Sequence, residues 1–466
     1  MINASYIKNL KSFISSNFEL PENWINFSTD TRTYADGMFV AISGEKYNAV
    51  NFLGKVIEKG CKCIVYSNGE MNNKIIKEIS KNNGDVQFIK VSDSVKFLQE
   101  IASVQTKNWQ QNGNLVFGIS GSNGKTTHKE MIFHILNQLF PNQVIKTLSN
   151  NNNHLGVPLT LLSLNPNTKY AVVEFGSNHP GEMKTVCDIA MPKVGITTNI
   201  GSTHMEFFPT IEDVFIEEAY IYKVVMQQNE NERIFLINQD DEQLQKLESA
   251  KGVYRYGHKG NLDNQVSVTS EHAEIVFKGK KIRLTNEKLT GEHNFYNLSG
   301  SVLLCLYIFP DKITEITKAA MSFTPSMNRS QWIDFEDLKI FLDAYNANPS
   351  SMRLSVKGFV DYLPKLKALP KDCCAIIGSM HELGELSPSL HQELGSYLNS
   401  LGLAKVIFVG KFAQDFAKDY RGSYECFDNI TDFKLQAFAE HKKKYKVFFI
   451  KGSRSLQLES LIDITI

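Results

Sequence analysis

Two hydrophobic rhythms alternate along this chain. Short unbroken apolar runs, Met38-Phe39-Val40-Ala41-Ile42 and Cys63-Ile64-Val65-Tyr66, predict buried strands, and the stretch from Phe52-Leu53 to Lys59 predicts a helix stopped at Gly60. The rhythm resumes at Leu115-Val116-Phe117, followed by a helical pattern with Met131, Ile132, Ile135, Leu136 and Leu139 on one face. Tyr170-Ala171-Val172-Val173-Glu174-Phe175 and Val194-Gly195-Ile196-Thr197 are further strand candidates with helical stretches between them, the pattern of a doubly wound parallel sheet. From about 230 to 290 the alternation is β-rich (Gln265-Val266-Ser267-Val268, Ala273-Glu274-Ile275-Val276-Phe277) and predicts antiparallel strands, before a helix carrying Leu298, Val302, Leu303, Leu304 and Leu306. Beyond about 323 the runs Ile340-Phe341-Leu342, Ala375-Ile376-Ile377, Lys405 to Val409 and Lys446 to Ile450 predict another parallel sheet. The expected fold is therefore α/β in three domains: a small N-terminal unit over 1–103, a central parallel-sheet unit over 104–322 and a Rossmann-like unit over 323–466.

Composition narrows the class. A hydrophobic share of 42% and a charged share of 21% are those of an ordinary globular protein. Fifty basic and fifty acidic residues cancel, which argues against a general nucleic-acid or anionic-membrane surface; Lys442-Lys443-Lys444 is read as a solvated helix end. The seven cysteines form no C-x-x-C and several lie in apolar runs, so buried free thiols are expected rather than zinc or disulfides. The opening Met1-Ile2-Asn3-Ala4-Ser5-Tyr6 does not predict a signal peptide, and no run reaches the ~18 apolar residues of a membrane span. A cytoplasmic location is expected.

The chemistry centres on Gly118-Ile119-Ser120-Gly121-Ser122-Asn123-Gly124-Lys125-Thr126-Thr127. Strand, glycine turn, then lysine and threonine at a helix start is the layout of a loop that cradles phosphate on backbone N–H groups. Lys125 would reach the outer phosphates and the Thr126 hydroxyl would hold Mg²⁺. The strict pattern asks for glycine at 119, where isoleucine stands. Glu174, ending a strand beside this loop, suits Mg²⁺ or its water, the bland alternative being a surface glutamate. His204 follows another strand and reads equally as metal ligand, proton carrier or polar turn residue. Asn150 to Asn153 precede a helix and offer amides to a peptide-like ligand. Asn294 and Asn297 are helix-capping residues first and adenine-binding residues second. The loops Asp343 to Pro349, Gly378 to Gly384 and Lys451 to Arg454 each follow a strand, so they are expected around one crevice.

Taken together these motifs resemble the Mur ligases. The variant Gly118-x-x-Gly121-x-x-Gly124-Lys125-Thr126-Thr127 accounts for Ile119. Asn152 to Leu162, Glu174 to Glu182, Asp343 to Met352 and Lys451 to Ser455 are similar to the branch that adds D-alanyl-D-alanine to UDP-N-acetylmuramoyl-tripeptide. The resemblance implies a peptidoglycan precursor ligase acting as a monomer, with ATP and Mg²⁺, through an acyl phosphate that the dipeptide amine attacks. It implies that Gly121, Ser122, Asn123, Gly124, Lys125, Thr126, Thr127, Asn294, Asn297, Arg329 and Asp343 bind ATP. Lys125, His204 and Arg329 would be catalytic. Asp30, Thr31, Arg32, Ser43, Gly44, Glu45 and Lys46 would hold the UDP-sugar; Asn152, Asn153, Tyr345, Asn346, Asn348 and Arg454 would hold the peptide substrates.

Thr126, Glu174 and His204 would hold metal. The family's carbamylated lysine falls at Glu218, which either supplies the metal-binding carboxylate directly or forms an exposed helical pair with Glu217. Ser379, where an acidic residue is common, is a smaller departure. A sibling ligase taking another acceptor, a non-catalytic nucleotide-binding homologue and a P-loop switch hydrolase are the competing readings. Only a ligase should release phosphate solely when both substrates are present.

Overall fold

The computed structural model describes residues 4–19, 26–44, 47–335 and 337–463. Its strands form three sheets of five, nine and six strands. In the first, Phe27–Ser28, Met38–Ala41, Cys63–Ser67 and Gln87–Val91 run parallel, and Phe13–Ser16 adds antiparallel to Gln87–Val91.

The helix Ser94–Gln110 then leaves this sheet, its first N–H groups capped by Asp93. One apolar cluster runs from Met38, Val40 and Ile89 through Phe97, Leu98 and Ile101 to Val116 and Val173, so this helix serves both the first and second cores. The expected division at 103 falls inside it.

The central sheet is ordered Lys280–Thr285, His272–Phe277, Asn264–Val268, Val253–Gly257, Ile234–Asn238, Val194–Thr197, Leu115–Ser120, Tyr170–Glu174, Val144–Lys146. Leu115–Ser120 is the pivot: the chain builds to one side of it and then to the other, which opens a crevice at the strand C-termini. Ile234–Asn238 and Val253–Gly257 pair parallel, not antiparallel as expected; only the strands from Asn264 onward form antiparallel pairs. Apart from a half-buried Ile234, residues 234–238 are buried, as in a strand covered on both faces. Lys125–Leu139 and Glu292–Ile308 cover one face.

The third sheet is parallel through Leu338–Leu342, Val447–Lys451, Cys373–Gly378, Lys405–Val409 and Tyr424–Phe427, with Gln331–Phe335 antiparallel at its edge. All seven cysteines are free, six buried and Cys426 half-buried. Among the described residues no helix is long and apolar enough to cross a membrane.

Gly118 lies within the pivot strand rather than in the loop that follows. A Cβ there would stand 2.7 Å from both Ile221 Cδ1 and Phe175 Cε2 and 3.1 Å from Pro192 Cβ. Gly118→Ala should therefore overpack the central core and cost ~1–3 kcal/mol, read as a lower denaturant midpoint with an unchanged slope.

Candidate active site

The phosphate loop is nailed down on its sheet side. Gly121 (φ 118°) and Gly124 (φ 82°) take left-handed backbone, and a Cβ on Gly121 would lie 2.2 Å from Thr198 Oγ1. Ser122 N donates to Asn199 O (2.8 Å) and Asn123 N to Asn199 Oδ1 (3.1 Å). The helix opens at Lys125, so the N–H groups of its first turn have no partner one turn earlier and are the donors an anion would use. Beneath the loop, His128 Nδ1 lies 3.1 Å from Gly124 O, and burial pushes its imidazole down to about 4. A neutral ring donating from Nδ1 fits that contact.

Glu217 and Glu218 close the helix Ile211–Glu218, and both are buried, which excludes an exposed helical pair. Glu218 Oε2 accepts from Gly121 N (2.7 Å), and its Oε1 lies 3.7 Å from Lys125 Nζ. Lys125 also bends back to donate to Gly121 O. Glu217 accepts from Ser177 Oγ (2.9 Å), Gly181 N (2.8 Å) and Met183 N (2.7 Å), fixing the loop after Tyr170–Glu174. Glu218, expected at a second metal, is thus turned into the phosphate loop.

Glu174 collects polar groups from two segments, the helix Lys125–Leu139 and the loop that carries Asn152. Thr126 Oγ1 donates to its Oε1 (3.1 Å) and so does Asn152 Nδ2 (3.0 Å), while Lys129 Nζ stands 3.4 Å from its Oε2. Gly176 leaves the room: a Cβ there would sit 2.6 Å from Asn152 Nδ2. The third sheet's unit reaches in from above. Arg329 donates to Thr126 Oγ1 (2.8 Å) with its guanidinium 4.0 Å from the Tyr345 ring centroid. Asn348 Nδ2 donates to Asn123 Oδ1 (2.6 Å), and Asn123 Nδ2 to Ser350 Oγ (3.0 Å). His204 Nδ1 lies 2.7 Å from Glu382 Oε2, both residues having left-handed backbone. The close approach of the His204 ring holds the Glu382 carboxyl below its usual range against the opposing effect of burial. Between the lobes lies one cavity of about 410 Å³, lined by residues 122–127, Asn152, Asn153, Glu174, His204, Asn294, Asn297, Arg329, Asp343, Tyr345 and Asn346.

The chain has relatives in both sequence and fold. A model of the Mur ligase middle domain matches residues 119–305, and one of the Mur ligase glutamate ligase domain matches residues 328–454. The chain belongs to the Mur ligase family. This Mur ligase is 28% identical over 447 residues to the UDP-N-acetylmuramoyl-tripeptide–D-alanyl-D-alanine ligase of Borreliella burgdorferi, covering 92% of this chain and 90% of that protein. It is 28% identical to the ligase of the same name from Bacillus subtilis, covering 93% and 92%. In fold it is similar to MurF from Acinetobacter baumannii (TM-score 0.83, 24% identity, 99% and 98% covered). MurF from Thermotoga maritima, in complex with ADP, is likewise similar (TM-score 0.78, 24% identity, 94% and 96% covered).

Other expected residues of this Mur ligase are engaged locally. Asp343 accepts from Ser355 Oγ (2.6 Å) and Lys451 Nζ (2.7 Å) on Oδ2, and from Ser330 N (3.2 Å) on Oδ1. Burial pushes its carboxyl up, but the Lys451 charge and the hydrogen bonds from Lys451 and Ser355 outweigh this, and the net direction is down. Asn348 is buried, and its Oδ1 caps the helix Pro349–Tyr362 at Ser351 N (2.9 Å), so its amide is spent on the fold. Asn153 Oδ1 likewise accepts from Leu155 N and Gly156 N. Asn294 donates to Thr290 O (2.8 Å), while Asn297 faces Gly124. Arg454 pairs with Glu459 and is absent from the cavity lining.

Asp30, Thr31, Arg32, Ser43 and Gly44 also lie outside that lining, in the N-terminal unit; Glu45 and Lys46 fall outside the described residues. Arg32 holds the Asp30 carboxyl down at about 2, and Lys59 Nζ ties Thr31 O (3.0 Å) and Arg32 O (2.8 Å) together. Sequence reasoning gave no role to His293, Glu382, Lys451 or Lys129, although Lys451 and Glu382 lie in loops it singled out and His293 adjoins Asn294.

Lys451 is 3% exposed and Asp343 14%, so Lys451→Met leaves a buried carboxylate unpaired and should cost ~3–5 kcal/mol in chemical denaturation. The sign of the pH dependence follows from the lowered Asp343 pKa. Its stabilisation is complete above the ordinary carboxyl value of ~3.9 and is lost as pH falls through the lower folded value. Lys451→Met should flatten that acid-side loss.

Proposed function

We propose that this chain joins D-alanyl-D-alanine to UDP-N-acetylmuramoyl-tripeptide with ATP, a cytoplasmic step of peptidoglycan precursor synthesis. The relatives bearing that activity in their names match over nine-tenths of the chain. The observation that carries the reading is Arg329 of one lobe donating to Thr126 on the other lobe's phosphate loop, at the wall of a shared cavity. A γ-phosphoryl group held there would meet cations from two sides, which suits charge spread over its oxygens during transfer. A carboxylate is a poor acyl donor; phosphorylation gives it a leaving group, and the dipeptide amine then attacks the acyl carbon as phosphate departs.

The donor set fits Mg²⁺. Glu174 Oε2 is buried and accepts no hydrogen bond among the described residues, and it shares the cavity with the Thr126 hydroxyl and His204. No group of three or more acidic, His or Cys side chains among the described residues could hold a metal unaided, which suits an ion held partly by phosphate oxygens. Bound there, Mg²⁺ would neutralise phosphate charge. Lys125 would swing from Gly121 O to the outer phosphates, with Glu218 as its buried counter-charge. Asn294 and Asn297 would border the base, and Asp343, through Ser330 and Lys451, would set the loop bearing Tyr345 and Asn346 for the peptide substrates. The N-terminal unit, 1–103, would take the UDP end, 104–322 ATP, and 323–466 the dipeptide.

Phosphate release with ATP, UDP-N-acetylmuramoyl-tripeptide and D-alanyl-D-alanine tests this. Release should need all three, and Lys125→Ala should lower kcat by ~10²–10³-fold. Release without an acceptor, or with a single amino acid in place of the dipeptide, would overturn it.

A further inference from the structure

Lys129 stands one helical turn beyond Lys125, and its side chain is 1% exposed. Its ammonium has three N–H donors and faces three oxygens: Ser149 O at 3.3 Å, Glu130 Oε1 at 3.3 Å and Glu174 Oε2 at 3.4 Å. Behind it Glu130 pairs with Lys146, whose ammonium lies 4.5 Å from the centroid of the Phe133 ring. Charges therefore alternate inward from the half-buried Lys146 through Glu130 and Lys129 to Glu174 at the cavity wall.

The other acids at the site also have basic neighbours, two of them lysines. Asp343 faces Lys451 and Glu382 faces His204, while Glu218 beneath the loop faces Lys125. With Glu174 already faced by the Lys129 ammonium, a free divalent cation would gain little attraction there and would be repelled by that buried charge one contact away. A cation escorted by a nucleotide brings its own negative phosphates and is not so opposed.

We propose that Lys129 is a positioning residue, the resident counter-cation of Glu174, which reserves this carboxylate for a divalent cation arriving with nucleotide. The inference rests on the reading above that Glu174 serves Mg²⁺. Lys129 touches neither nucleotide nor metal; it fixes the Glu174 carboxylate and, through Ser149 O, the loop bearing Asn152. Glu130 draws part of its charge away from Glu174, so removing that acid should strengthen the competition and removing Lys129 should abolish it.

The test uses the full chain and binding alone: Mn²⁺ titrated without nucleotide and followed by its paramagnetic resonance, then ADP titrated calorimetrically with and without Mg²⁺. Lys129→Met should acquire nucleotide-free Mn²⁺ binding at least ~10-fold tighter than the native chain's, and Lys129→Met/Glu174→Gln should lose it. Glu130→Gln should weaken ADP binding in Mg²⁺ and leave Mg²⁺-free ADP binding unchanged. It also carries the test should melting show that Lys129→Met does not fold. Equal nucleotide-free Mn²⁺ affinity in native and Lys129→Met chains, or an unmoved Mg²⁺ effect in Glu130→Gln, overturns the proposal. Failure of the native chain to bind ADP at all overturns the nucleotide site itself.

Discussion

Two adjacent buried carboxylates at the end of one short helix hold the working edge of the central sheet in place. A helix C-terminus is the negative pole, where an anion is disfavoured, and burial adds a desolvation cost. Glu217 and Glu218 persist there because each meets several donors. Glu217 takes two backbone N–H groups and a hydroxyl from the segment 177–183, and Glu218 takes Gly121 N–H and faces Lys125. The loop after Tyr170–Glu174 and the phosphate loop are thus referred to one rigid element. Their relative position fixes where Glu174 stands against Thr126.

Around that edge Glu174 and Asp343 each face a buried lysine, Glu382 faces the His204 ring, and the cations come from different depths of the fold. Lys129 rises from the helix after the phosphate loop and Lys451 from the end of a buried strand. Arg329 lies just ahead of an edge strand and has no carboxylate partner in the cavity among the described residues; its guanidinium lies on Tyr345 and donates to Thr126. It is therefore the cation with charge to offer an anion entering between the lobes.

Much of this was legible in the chain. Unbroken apolar runs marked most of the parallel strands, and the loop from Gly121 to Thr127, Glu174 and Arg329 meet as their motifs implied. What was hidden has physical causes. Ile234–Asn238 carries the same apolar run as its parallel neighbours, but the alternating strands downstream coloured the reading of the whole stretch. Gln331–Phe335 and Tyr424–Phe427 are edge strands whose polar residues break the pattern. Lys129 follows Lys125 at helical spacing, where a second lysine reads as solvated; only the fold brings Ser149 and Glu174 over it. For the same reason an exposed pair stood as one of the two readings of Glu217 and Glu218. Asn348-Pro349 is itself a helix-start signal, but nothing local says that the Asn348 amide nitrogen will be spent on a neighbouring lobe.

The phosphate loop divides its four turn residues among three duties, which explains why residue 123 carries a side chain while 121 and 124 do not. Gly121 and Ser122 give their N–H groups to the central domain, and a Cβ at 121 would collide with Thr198. Gly124 must lie flat beside Asn297 while its left-handed backbone starts the helix whose first N–H groups remain for a ligand. Asn123 alone projects outward. Its backbone is held by Thr198 Oγ1 and the Asn199 amide, so its side chain meets Asn348 and Ser350 from a fixed base. An alanine there could hold the same turn yet make neither bond. The asparagine makes the phosphate loop itself the docking point for the helix Pro349–Tyr362, so the lobes meet where the nucleotide's phosphates would lie.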